Sequence, residues 1–431
     1  VSTRTSLIPL VAVLALGALA GCSDSEKDDD APKTTPREPA PVELAVDGTD
    51  EPLRIGVLMT LSSEPGQGAE QRLGAAGARV AEYRLDLGGA DVQLEVVDDG
   101  GDVDRASAAV EDFLTDDVIG IVAASSGDHL DGALAEAAES GVPVLLPYYR
   151  SEGAPSGVWM TGPSGPAVEQ QLLAALETDG LGKPFVVSGD GVTADGIGSA
   201  DAATLTGGNA DAVVRRIRRA VEAGSVDSVV VAASAASQAR VVSRLQGALP
   251  ELPVLLTPEA LSPVFASELI EAGGTAAGQF VTVGVDASDP TTLTSAPHAE
   301  SVASYFAALR LAAGDEAVGD LLDAGAFADV ASGADTASHD AVVALVRAAE
   351  AAGSTDPSEV AGALEGLTLD GGDGLAGAPL DFGSAEALAP ESVVTLRATL
   401  QDPGVRPAAA PTEDAARLFW FAVPVDDTET G

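Results

Sequence analysis

Residues 118–149 constrain the fold more than any other stretch. Val118-Ile119-Gly120-Ile121-Val122-Ala123-Ala124 is a short apolar run rich in β-branched residues, as a strand buried on both faces of a parallel sheet requires. Ser125-Ser126-Gly127 interrupts it. Residues 130–140 are rich in alanine, leucine and glutamate, a helical composition with too little β-branching for a strand. Gly141 stops that helix, and residues 142–146 form a second buried strand that runs into Pro147-Tyr148-Tyr149. Two such strands joined by a helix make a βαβ unit with a right-handed crossover. Both strands end in polar, non-helical residues, at the end where open α/β sheets bind small molecules. Ser126 and Gly127 place a hydroxyl and backbone N–H groups at a helix N-terminus, which suits a carboxylate. The plainer alternative is that Ser125 caps the helix.

The same alternation extends in both directions. Leu53-Arg54-Ile55-Gly56-Val57-Leu58-Met59 reads as the first strand, ended by Ser62-Ser63. Val92-Gln93-Leu94-Glu95-Val96-Val97 reads as the second, followed by the acidic loop Asp98-Asp99-Gly100-Gly101-Asp102. Helices are predicted over 71–85 and 106–114. After Trp159 a new series begins, with helices over 168–176, 212–223, 236–249, 299–313 and 337–352. Its strands are 184–187, 229–231, 254–256 and 279–283, with terminal strands over 393–400 and 418–425. This pattern predicts an α/β protein of two doubly wound parallel-sheet lobes joined by a multi-crossover hinge. The expected boundaries are 53–160 plus 285–383 for one lobe and 161–284 plus 384–426 for the other. A cleft between two lobes is a preferred place for a small ligand.

Charge and cysteine usage narrow the setting. Acidic residues number 67 against 22 basic ones, a formal net charge of −45, which argues against nucleic acid and anionic membrane surfaces as direct partners. Cys22 is the sole cysteine, so no intrachain disulfide forms. It follows Arg4, an uncharged and mostly apolar run over 7–20, and Leu19-Ala20-Gly21. That run is short for a transmembrane helix. Leu19-Ala20-Gly21-Cys22 resembles a bacterial lipobox, which implies a signal peptide over 1–21, cleavage before Cys22 and lipidation there; an ordinary signal peptide or a buried thiol is the alternative. Residues 22–52, with Asp28-Asp29-Asp30 and several prolines, are expected to be a disordered tether.

His129, His298 and His339 have no metal-ligand spacing, and no Gly-x-Ser-x-Gly elbow, phosphate-binding loop or EF-hand pattern is present. The expectation is therefore a protein that is not an enzyme, with no cofactor and no metal. His129 lies near the expected cleft, with a helix-turn surface position as the plainer reading. Arg215-Arg216 and Arg218-Arg219 read as a solvated helix face.

The order and spacing of several motifs carry a resemblance to a known family. They are Arg54-Ile55-Gly56-Val57 with Leu61-Ser62, Val97-Asp98-Asp99-Gly100-Gly101-Asp102, and Ser125-Ser126-Gly127 with Gly141-Val142-Pro143-Val144-Leu145-Leu146-Pro147. His339-Asp340-Ala341-Val342 and Leu375-Ala376-Gly377 leading to Leu380-Asp381-Phe382 complete the set. The chain resembles the type I periplasmic binding proteins, in particular the branched-chain amino-acid and amide-binding branch, in lipoprotein form. The resemblance implies hinge closure on a small-molecule solute and docking on ABC permease subunits, outside the cytoplasm, with a membrane anchor through lipid on Cys22. It places a ligand carboxylate at Ser125 or Ser126, Gly127 and the segment Tyr148-Tyr149-Arg150-Ser151, and a ligand ammonium at Glu259, within Leu255-Leu256-Thr257-Pro258-Glu259. The family's second-lobe aromatics are missing from Ser188-Gly189-Asp190-Gly191 and Ala233-Ser234-Ala235-Ala236, and Met160 stands where relatives carry an arginine. Those departures imply an alternative: a fold-retaining lipoprotein that has lost transport binding and serves as a sensor or envelope interaction module.

Overall fold

The computed structural model describes residues 41–47, 51–150, 153–407 and 417–423. The expected signal peptide, Cys22, most of the expected tether and Ser151 lie outside them. Strands β1 (Leu53–Met59), β2 (Val92–Asp98), β3 (Gly120–Ala124), β4 (Val144–Leu146) and β5 (Val158–Met160) form a parallel five-stranded sheet in the order β2-β1-β3-β4-β5. Strands β6 (Pro184–Ser188), β7 (Asp201–Thr204), β8 (Ser228–Ala232), β9 (Val254–Leu256) and β10 (Val281–Val285) form the parallel part of a second sheet. A short antiparallel pair, β11 (Thr368–Leu369) and β12 (Leu380–Asp381), stands apart. Strands β13 (Val393–Thr399) and β14 (Phe419–Ala422) then extend the second sheet antiparallel beyond β10, giving seven strands in the order β14-β13-β10-β9-β8-β6-β7.

Helices α1 (Gly77–Leu87), α2 (Val103–Thr115) and α3 (Asp131–Glu139) connect the first sheet. Helices α4 (Gly165–Thr178), α5 (Ala210–Glu222), α6 (Ala235–Ala248) and α7 (Pro263–Glu271) serve the second. After β10, α8 (Ala299–Gly314), α9 (Thr336–Ala352) and α10 (Pro357–Leu364) follow, and α9 packs on α1, β1 and β3 of the first sheet. The chain thus passes between the sheets after β5, after β10 and after β12. Every residue of β3 and β8 is buried, as strands covered on both faces must be. Helix α9 is buried around most of its surface, with residues 341–346 wholly enclosed.

One buried polar cluster ties two of the sequence motifs together. Arg84 Nη1 donates to His339 Nε2 at 3.0 Å, so the imidazole carries its proton on Nδ1 and donates it to Asp340 Oδ1 at 2.7 Å. Asp340 also accepts from the N–H groups of Ala376 and Gly377, each at 2.7 Å. Burial lowers the Arg84 guanidinium to about 10 and lowers the His339 imidazole as well. The histidine is a structural strut between α1, α9 and the 375–377 turn.

Several expectations need correction. The tether ends sooner than residue 52: Leu44 is buried, its N–H donates to the Arg84 carbonyl at 2.9 Å, and the Val42 carbonyl accepts from Arg84 Nε at 2.8 Å. The alternation Val42-Glu43-Leu44-Ala45-Val46 supplies the apolar face that docks there. Helix α1 begins at Gly77 and not at Gln71, after two short 3-10 turns. A Cβ at Gly77 would overlap the Asp335 carbonyl oxygen, so the start of α1 is pressed against the start of α9. Strands β5 and β7 and helices α7 and α10 were not expected. His129 is buried and not at the surface, bridging Asp99 Oδ2 and Gln67 Oε1, each at 3.2 Å. Asp98, Asp99 and Asp102 spend their oxygens on Leu61, Gly100, Gly101, Thr60, Arg105 and the N-terminus of α2.

Candidate functional site

The carboxyl ends of β4 and β9, one from each sheet, face a common cavity of about 660 Å³. Strand β4 delivers Tyr148, Tyr149 and Arg150 to it, and β9 delivers Glu259 through Thr257-Pro258. Pro258 starts a single 3-10 turn that fixes Glu259 at the strand end. Arg150 Nη2 donates to Glu259 Oε1 at 2.6 Å, and Arg150 Nε donates to the Pro163 carbonyl at 3.1 Å. The planar guanidinium thereby joins the two sheets across the cleft. Glu259 Oε2 and Thr161 Oγ1 are both buried without a hydrogen-bond partner, and both residues line the cavity.

Tyr148 closes the first-sheet wall. Its hydroxyl donates to Asp335 Oδ2 at 2.7 Å, so Ser338 Oγ, 2.6 Å away, donates to the tyrosine. Asp335 Oδ1 caps α9 by accepting from Ala337 and Ser338 N–H groups at 3.1 and 3.2 Å. Burial pushes the Asp335 carboxyl up to about 6, against the pull of these hydrogen bonds, and pushes the Tyr148 phenol far above its usual range. Tyr149 donates to Asp131 Oδ1 at 2.8 Å; burial, then that hydrogen bond and the charge behind it, raises its phenol. Leu261, Leu418, Phe419 and Trp420 supply apolar wall from the second sheet.

The serine turn lies elsewhere. Ser125 is fully buried, and its hydroxyl donates to Thr60 Oγ1 at 2.6 Å, because the Thr60 proton goes to Asp99 Oδ1 at 2.5 Å. The loop after β1 lies on this turn. A Cβ at Gly68 would overlap the Ser125 hydroxyl oxygen and lie 3.1 Å from the Ser126 N–H, and Gly68 holds φ +96°, which glycine tolerates. Gln67 presses on Gly127 in the same way. Of the expected contacts, Tyr148, Tyr149 and Glu259 line the cavity; Ser125, Ser126 and Gly127 do not. The loop after β1 packs on the serine turn, where Ser125 is buried and Ser126 half-buried, while Arg150 pairs with Glu259 at the cavity.

One further residue escaped the sequence reading. Glu70, on the loop after β1, accepts from the N–H groups of Ala235 and Ala236, each at 3.1 Å, and so seals the N-terminus of α6 in the second sheet's layer. Burial raises its carboxyl, offset by those two N–H groups. The Glu70 carbonyl accepts from Ser262 Oγ at 2.8 Å. Arg150 was expected only within the carboxylate-holding segment 148–151, and its pairing with Glu259 was not. Among the described residues no group of three or more His, Cys, Asp or Glu side chains is placed to hold a metal ion, and no helix is long and apolar enough to cross a membrane.

Two parallel-sheet lobes with a cleft at the carboxyl ends of their strands define a two-lobed binding protein of type I periplasmic topology. The Periplasmic binding protein family matches residues 52–389, and the chain belongs to that family. Its structure is similar to the branched-chain amino acid transporter substrate-binding protein LivJ from Streptococcus pneumoniae in complex with isoleucine, at 15% identity and TM-score 0.60, covering 86% of this chain and 99% of that one. It is similar to an ABC transporter substrate-binding protein from Desulfitobacterium hafniense in complex with leucine, at 18% identity and TM-score 0.59, covering 80% and 97%. The leucine-binding protein LivK from Thermotoga maritima matches at 16% identity and TM-score 0.58, covering 84% and 99%. Among curated proteins none matches.

Proposed function

We propose that this chain is the solute-binding subunit of an ABC importer of the branched-chain amino acid transporter type, working outside the cytoplasm and held to the membrane by lipid on Cys22. The observation that carries the reading is the cavity between the carboxyl ends of β4 and β9, with Glu259 Oε2 and Thr161 Oγ1 buried in its wall and lacking partners. Buried polar atoms without partners are uncommon in native structures, and a bound solute is a ready source of partners. A small polar solute, an amino acid or an amide, shifts the two lobes toward the closed form, which the permease subunits recognise. The protein acts by binding, not by turnover.

The Arg150–Glu259 pair and the covered serine turn favour a second reading, in which the fold persists in a sensor or envelope interaction module. A thermal-shift panel of amino acids, amides and urea separates the two, since a solute well above its Kd raises the apparent stability. A clear rise in Tm with one class supports import. No rise with any solute supports the interaction module.

A further inference from the structure

We propose that the cleft selects an uncharged amide whose other groups are apolar, such as a capped or cyclic peptide, and rejects zwitterionic amino acids. This rests on the solute-binding reading and narrows it.

Charge is the first argument. The acid that would receive an ammonium group already has a cation 2.6 Å away, the Arg150 guanidinium. A second cation at Glu259 would face Arg150 at close range. Five acids and four arginines line the cavity, close to balance in a chain of net charge −45. Such a wall gives no net reward for a solute of net charge, and against a zwitterion it is the Arg150–Glu259 pair that counts.

Hydrogen-bonding capacity is the second. A carboxylate oxygen only accepts, whereas a hydroxyl can donate. Glu259 Oε2 therefore lacks a donor, and Thr161 Oγ1, on a residue 8% exposed, has a proton to give. An amide offers an N–H for the first and a carbonyl for the second, with no formal charge to desolvate.

Size and polarity are the third. The cavity of about 660 Å³ sits within the range of roughly 300–1,000 Å³ that drug-sized ligands occupy. Tyr149, Leu261, Phe419 and Trp420 give it apolar and aromatic surface, which suits bulky side groups better than the small set of polar contacts a free amino acid needs.

The test uses four probes on the full chain, by thermal shift and isothermal titration: leucine, leucinamide, N-acetyl-leucinamide and the cyclic dipeptide of leucine and phenylalanine. The two uncharged probes are expected to raise Tm, and leucine and leucinamide are not. Thr161→Val should weaken the uncharged probes about three- to tenfold. Arg150→Met leaves Glu259 without its cation and should admit the cationic leucinamide at least about tenfold more tightly than the wild type. Leucine binding that matches or exceeds the uncharged probes overturns this inference and leaves the solute-binding reading standing. Binding of the uncharged probes that is indifferent to both substitutions overturns the assigned anchors and with them the proposal. No response to these probes or to any member of the wider panel overturns this inference and the solute-binding reading together, and leaves the interaction module.

Discussion

Glu70 and Ala235, contributed by the layers of different sheets, meet at 3.1 Å, carboxylate to backbone N–H. The carboxylate takes two of the N–H groups that an isolated α6 would leave unsatisfied, and its negative charge lies at the positive end of that helix. The loop that covers the serine turn of the first lobe thus also docks on the second lobe. Glu70→Ala should remove about 1 kcal/mol of stability and let the lobes separate more often. Small-angle scattering of the unliganded protein should record a larger radius of gyration in the variant. An unchanged radius and unchanged stability would count against this contact as a clasp.

Gly77 offers a test whose sign is opposite to helix propensity. In an open helix Gly→Ala stabilises by roughly 1 kcal/mol. Here a Cβ would overlap the Asp335 carbonyl oxygen at the start of α9, so Gly77→Ala should destabilise by about 1–3 kcal/mol. Urea denaturation decides the sign.

The buried Arg84–His339–Asp340 chain should be costly to cut. Arg84→Met leaves the His339 Nε2 acceptor and the Val42 and Gly374 carbonyls without their donor. The expected loss is roughly 3–5 kcal/mol, as for breaking a buried charged network, read from the denaturation midpoint. A loss below about 1 kcal/mol would mean that water replaces the guanidinium at little cost.

Asp335 gives a pH signature. Its folded-state value is raised from 3.8 to about 6, chiefly by burial, so between those values the folded state holds more protons than the unfolded one. Stability contributed at this site is therefore fully present below about pH 4, falls as pH rises toward 6, and stays lost above it. Many other carboxylates titrate in the same window, so the readout is a difference. Asp335→Asn, which still caps α9, should lack this fall, and the stability difference between variant and wild type should grow in the variant's favour from pH 4 to pH 6. A difference independent of pH would show that Asp335 titrates normally.

How much of this was legible in the sequence follows from the range of the forces involved. Strands β3 and β8 announce themselves because burial on both faces demands unbroken apolar, β-branched runs. Strand β7, Asp201-Ala202-Ala203-Thr204, lies at a sheet edge with alternate residues exposed, and its composition carries no strand signal. Helices α7 and α10 did carry one: Ser262-Pro263 and Asp356-Pro357 pair an N-cap with proline at the first helical position. At the site, Glu259 and the tyrosines were legible as strand ends facing a cleft. Their partners were not. Arg150 and Glu259 are 109 residues apart, and Glu70 and Ala235 are 165 apart, so only the folded topology decides that they meet.

A solute that occupies the cavity between the ends of β4 and β9 must touch both of its walls. Amide hydrogen exchange, followed with and without the solute that raises Tm most in the panel, tests this most directly. Slowed exchange is expected at residues 148–150 and 259–262 together, one segment from each side of the cavity, with little change at 125–127. Protection confined to one side, protection centred on 125–127, or no solute that changes exchange at all would contradict it.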